Sequence, residues 1–153
     1  MIGALVAAEL LSGTSNSSSG RLAPALPRGV VVPPRVSLSS LRGKPAAINF
    51  WASWCTPCRQ EAPVLSQLSH TLHGQARLVG VDWSDGLASA RSFVSRYSWS
   101  YPNLSDPDGV VGNRFGINGL PTTYIIDSRG AITQVLRGPQ QLGTLRAALR
   151  SAG

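Results

Sequence analysis

A chain of 153 residues with 42% hydrophobic and 14% charged side chains holds about one globular domain's worth of core, too little for two and too apolar for a disordered segment. Its net charge of +7 would suit a nucleic-acid partner, but the cations are nearly all Arg, scattered singly from Arg21 through Arg59 and Arg96 to Arg150. No basic run interleaves with aromatics, so no nucleic acid is expected among the partners, and two cysteines are too few for a disulfide framework.

The first residues, "MIGALVAAELLSG", form an apolar run of about ten, well short of the ~20 needed to cross a bilayer. Glu9 interrupts the run and no Lys or Arg precedes Arg21, so it makes a poor secretory signal as it stands. It is either the remnant of a longer signal or membrane anchor or a frayed tail. From Ser12 to Pro34 the chain is Ser-rich and then Pro-rich, a composition that reads as a flexible tether. The expected division is therefore 1–34 as apolar start and tether, and 35–153 as the folded domain.

Beyond the tether, strands alternate with helices. "PAAINFW", Pro45 to Trp51, reads as a buried strand with Asn49 inside it. After Cys55, the positions Ala62, Leu65, Leu68 and Leu72 fall at helical spacing up to Gly74, with Pro63 expected to kink the helix. Ala76 to Asp82 reads as a second buried strand. Leu87, Ala90, Val94 and Tyr97 mark a second helix, and "SYPNLSDPDG" reads as a loop. "TTYIID" and "AITQVLR", joined by "SRG", predict an antiparallel hairpin, and Leu142, Leu145 and Leu149 predict a closing helix. The order strand, helix, strand, helix, strand, strand, helix implies an α/β domain with a central mixed sheet flanked by helices.

Cys55 and Cys58 stand at the junction of the first strand and the first helix. Residues three apart meet on a helix, so the two sulfurs can close a small ring. A loop this short gives a disulfide little to stabilise, which makes a structural staple a weak motive. Unpaired N–H groups and the helix dipole favour a thiolate at Cys55, the expected nucleophile. Pro57 suits the first turn, where its missing N–H costs nothing, and Cys58, deeper in the helix, is the expected resolving thiol.

Zinc is the rival reading, since His70 and His73 follow the cysteines. The spacing C-x2-C-x11-H-x2-H is too short for a structural zinc site, and His70 would lie some 18 Å from Cys58 along a helix. No metal is expected, and the histidines are read as solvated. A thiol peroxidase is the second rival; Ala52, three residues before Cys55, stands where a peroxide-shaping Thr would be. A third reading is a binding module with an inert disulfide.

"LRGKPAAINFWASWCTPCRQEAP" together with "GLPTTYIIDSRG" resembles the thioredoxin superfamily, in particular its TlpA-like branch of extracytoplasmic thiol–disulfide oxidoreductases, over Val36 to Leu149. The resemblance implies a thioredoxin fold, no cofactor, a monomer outside the cytoplasm that is exported or membrane-tethered, and partners that are protein dithiols or disulfides plus an upstream redox protein. It implies a cis peptide before Pro121, where the alternative is a plain strand-starting proline. Leu120 would then offer its backbone to an extended substrate strand, with Trp54, Thr56 and Pro57 as further contacts. Asn49 stands where cytoplasmic thioredoxins carry a buried aspartate, so Glu61, Asp82 and Asp85 become the candidates for proton transfer, each with an ordinary solvated carboxylate as its alternative. The Thr-Pro dipeptide resembles the Gly-Pro of reducing thioredoxins, which points to a reductant rather than an oxidase; by analogy, reductants of this branch often serve cytochrome c maturation.

Overall fold

The computed structural model describes residues 20–153; the apolar start and most of the Ser-rich stretch lie outside the described residues. Six strands and five helices follow in the order β1 (Gly29–Val32), α1 (Leu38–Leu41), β2 (Ala46–Trp51), α2 (Thr56–Thr71), β3 (Arg77–Trp83), α3 (Leu87–Arg96), β4 (Asn103–Asp106), α4 (Val110–Phe115), β5 (Thr122–Ile126), β6 (Ile132–Arg137) and α5 (Leu142–Ser151). They build one sheet in the order β1-β4-β3-β2-β5-β6. β2, β3 and β4 run parallel, while β1, β5 and β6 pair antiparallel, so the mixed sheet and the final hairpin are as the element order implies.

β2 is buried along its whole length because both faces of the sheet are covered. Successive residues feed opposite layers, as a strand's period of two requires. Ala47 and Trp51 join α2, α3 and α5 side chains in one core, while Ile48 and Phe50 join Leu41 and Phe115 in the other. In the first layer Trp51 stacks on Phe93 at 4.7 Å; in the second Phe50 packs against Phe115 at 4.9 Å.

Two expectations are corrected. Gly29–Val32, assigned to the tether, is an edge strand paired with β4, and Leu22 already bridges Ala131; three apolar valines find a sheet edge that composition alone hides behind the flanking prolines. Asn103–Asp106, assigned to a loop, is a strand held between β3 and β1. α2 runs helical through Pro63 from Thr56 to Thr71, and the Trp99 indole donates to the carbonyl of Ala62 beside it at 3.0 Å. No described helix is long and apolar enough to cross a membrane.

Candidate active site

β2 ends at Trp51, and the loop Ala52–Cys55 delivers the chain to the start of α2. Cys55 is the N-cap residue, with extended backbone (φ −88°, ψ 111°), and its sulfur accepts the N–H of Cys58 at 3.2 Å. Sulfur thus takes the place of the side-chain oxygen that usually satisfies a free amide at a helix start. Pro57 lies in the first turn, where it removes an amide that would otherwise lack a partner. Cys55 and Cys58 are joined as a disulfide with Cα atoms 5.2 Å apart, and both residues are nearly buried.

The disulfide opens on a groove of about 440 Å³ lined by Trp54, Cys55, Thr56, Pro57, Trp83 and Leu120, among others. Trp54 is 54% exposed and is anchored by its indole N–H to the carbonyl of Ser84 at 3.1 Å. Trp51, by contrast, is wholly buried. The Leu120–Pro121 peptide is cis, and Pro121 itself is buried just ahead of β5. Neither the N–H nor the C=O of Leu120 has a hydrogen-bond partner among the described residues, which leaves both available to an incoming strand.

Beneath this surface, Glu61 lies one turn beyond Cys58 on α2 and is only 1% exposed. Its Oε1 accepts the Asn49 amide at 2.8 Å, and its Oε2 accepts the backbone N–H of Gln140 at 2.7 Å. Burial raises the carboxyl from the ordinary 4.5 to about 7, against the two hydrogen bonds, which favour the anion. Asn49, fully buried, also donates to Thr123 at 2.9 Å. The three candidate carboxylates are therefore not brought together: Glu61 lies under the helix, whereas Asp82 and Asp85 lie at the end of β3 and in the loop after it.

Asp82 is wholly buried, and burial pushes its carboxyl up to about 9, with the nearby Asp85 and Asp106 adding to the rise. Asp85 accepts the backbone N–H of Ser53 at 2.7 Å and that of Gly86 at 2.8 Å. Burial pushes Asp85 up, yet these hydrogen bonds outweigh it and hold the carboxyl below its ordinary range. His70 and His73 are exposed at the far end of α2, and no group of three or more His, Cys, Asp or Glu side chains among the described residues could hold a metal ion.

Three contributors escape the sequence reading. Trp83 walls the groove with its ring 6.5 Å from that of Trp54 and donates to the carbonyl of Gly109 at 3.2 Å. Gly112 must lack a Cβ, since one would overlap the Trp83 ring. The Gln140 amide reaches Glu61 across 79 positions of sequence, which no local pattern signals. Only the position of Trp83 at the C-terminal end of a strand beside the cysteine loop offers a signal, because ligands gather at that edge of a parallel sheet.

A model of the AhpC/TSA family matches residues 29–135. The thiol-disulfide oxidoreductase ResA of Bacillus subtilis (strain 168) is 31% identical over 105 residues, covering 68% of this chain and 59% of that protein. The thiol:disulfide interchange protein DsbE of Pseudomonas fluorescens biotype C is 37% identical over 95 residues, covering 61% of this chain and 52% of that protein. The chain thus spans between half and two thirds of the length of these curated relatives. Among solved structures, a secreted Mycobacterium tuberculosis disulfide oxidoreductase homologous to E. coli DsbE superposes with a TM-score of 0.72 at 27% identity, covering 82% of this chain and 95% of that one.

Proposed function

We propose, for a chain that belongs to the AhpC/TSA family and has the thioredoxin fold, that it exchanges disulfides with protein partners through Cys55 and Cys58. The observation that carries this reading is the closed Cys55–Cys58 pair at the N-terminus of α2, opening on a groove beside an unpaired stretch of backbone. The names of the relatives ResA and DsbE support the same chemistry.

In the reducing direction the Cys55 thiolate attacks one sulfur of a partner disulfide. The partner's S–S bond breaks, a Cys55–partner bond forms, and the freed partner sulfur takes up a proton. Cys58 then gives up its proton and attacks the Cys55 sulfur; the second partner sulfur leaves and is protonated in turn. Two electrons and two protons have moved to the partner, and the Cys55–Cys58 disulfide remains. Glu61 is the proposed acceptor of the Cys58 proton, since a carboxyl near 7 is poised to take and return one at neutral pH. An extended partner strand would pair with Leu120, beside Pro121, and rest on Trp54, Thr56 and Pro57.

Reduction is the proposed direction because of the Thr-Pro dipeptide, and the paired haem-attachment cysteines of c-type cytochromes are the proposed substrate, by likeness to the TlpA-like branch. We place the protein outside the cytoplasm, where a structural relative is described as secreted. Thiol peroxidase chemistry is disfavoured by Ala52 at the position three before Cys55.

The test is a trapping experiment. Cys58→Ser should accumulate mixed disulfides through Cys55, whereas Cys55→Ser should accumulate none; the reverse pattern inverts the two roles. Titration against thiol redox buffers supplies direction, since ~30 mV is a tenfold change in equilibrium for this couple. A pair that stays oxidised at every accessible potential leaves only a binding module.

A further inference from the structure

The proposed mechanism leaves Asp82 and Asp85 unused. Asp82 is wholly buried, and neither of its carboxylate oxygens has a hydrogen-bond partner among the described residues. In register it lies between Trp51 of β2 and Ser105 of β4, and the Trp51 indole N–H is already given to Asn103. An unpaired buried carboxylate costs several kcal/mol, so this group needs a proton and then an acceptor for it. Asp85, three residues further along the chain and near enough for its charge to raise the Asp82 carboxyl, is the candidate acceptor. It is already held by the N–H groups of Ser53 and Gly86, one on the loop that carries Cys55 and one at the start of α3.

We propose that Asp82 and Asp85 share one proton and together position the Ala52–Cys55 loop, acting as positioning residues for Cys55 rather than as proton donors to the reacting sulfurs. Held by the N–H groups of Ser53 and Gly86, with the Asp82 proton as the third donor of the proposal, the Asp85 carboxylate fixes the Ser53 amide, while Arg59 of α2 donates to the Ser53 carbonyl at 3.3 Å from the other side. Trp54, next in the chain, docks on Ser84, whose own N–H is tied to the carbonyl of Asp106. Ser84 has φ +54°, a left-handed conformation uncommon outside glycine, so this turn is shaped to receive the loop.

Loss of the shared proton sets two carboxylates against each other, and Asp106 of β4 adds a third negative charge. The cations near the loop are Arg59 of α2 and Arg96 of α3, which line the cleft outside Ser53, and β2 supplies no charge. Asp82 is locked in the sheet, whereas Asp85 is in a surface loop. Asp85 therefore swings away and releases Ser53. Since Asp82 is raised to about 9, the release falls on the alkaline side of neutrality.

The assignment deepens the exchange function through the Cys55 loop, and it is tested on the oxidised protein without any partner, so its failure and that of disulfide exchange are distinguishable. Two readouts run from about pH 6 to about pH 10: tryptophan emission, and the rate at which a water-soluble trialkylphosphine opens the Cys55–Cys58 bond, referred at each pH to its rate on a small model disulfide. The wild type should show one step in both, with the rate changing by about ten- to a hundredfold, the upper end being the cost of a reacting group misplaced by about 1 Å. In Asp82→Asn the amide is a permanent donor to Asp85, so the step should vanish and the low-pH values persist. Asp85→Ala, which frees Ser53, should show the high-pH values throughout. A purely structural pair would alter stability without deleting the step. A step that survives Asp82→Asn, a wild type without a step, or an Asp85→Ala variant that matches wild type at neutral pH would each overturn the proposal.

Discussion

Glu61, the proposed proton acceptor, also bears on the stability of the fold. An unfolded chain ionises such a carboxyl near 4.5, whereas in the folded protein burial holds it protonated to about 7. The folded state therefore retains a proton that the unfolded state has lost across this window, and stability falls as pH rises through it. At about 1.4 kcal/mol per pH unit the loss amounts to roughly 3 kcal/mol, complete above the folded value. Glu61→Gln removes the ionisation while keeping the shape. Its urea midpoint relative to wild type should therefore rise between about pH 4 and about pH 8, and any constant cost of rearranged hydrogen bonds cancels in that comparison. A difference between the two proteins that does not change with pH would mean that Glu61 ionises normally in the fold.

At the scale of elements, the sheet is locked at the β3–β4 pairing. Gly80 lies opposite Asn103 in parallel register, and Asn103 accepts the Trp51 indole N–H at 2.8 Å while donating to the Tyr101 carbonyl at 3.1 Å. A Cβ on Gly80 would overlap the Asn103 amide. Gly80→Ala should then cost roughly 2–4 kcal/mol, from crowding and from a buried indole left without an acceptor. Adding Asn103→Ala makes room, so the second substitution should recover most of the crowding cost; denaturant midpoints of the two singles and the double that simply add would refute the coupling. The same hub explains why β4 is not legible in the sequence. Asn103, Ser105 and Asp106 show no alternation of apolar residues, because Asn103 and Asp106 serve as hydrogen-bonding groups, Asp106 accepting the N–H groups of Val111 and Gly112 at the start of α4. The long apolar elements are legible because burial on both faces writes itself into composition. The cysteine motif and Pro121 are equally legible, being local. The Asn49–Glu61–Gln140 link and the Asp85–Ser53 clamp are not, since each joins residues that only the folded sheet brings together.

For the molecule as a whole, the charge balance predicts which partners approach fastest. Fourteen Lys and Arg face seven Asp and Glu, and of those acids Glu61 and Asp82 are buried with carboxyls raised toward neutrality or above it. The one ion pair among the described residues, Arg129 with Asp127 at 2.8 Å, has its arginine 67% exposed and neutralises little of the excess. The surface field is thus positive, with Arg59 bound to the Ser53 carbonyl of the loop that carries Cys55, and fields of this kind act on encounter rates over about one Debye length. Three peptide disulfides that differ only in flanking residues separate this effect from contact in the groove. As salt rises from about 0.01 M to about 0.5 M, the kcat/KM for thiol–disulfide exchange with the Asp- and Glu-flanked peptide should fall by about tenfold, that with the Lys-flanked peptide should rise, and that with the neutral peptide should stay level. Equal salt dependence for all three would mean that the charge excess plays no part in partner choice, and that selection rests on the tryptophan-lined groove alone.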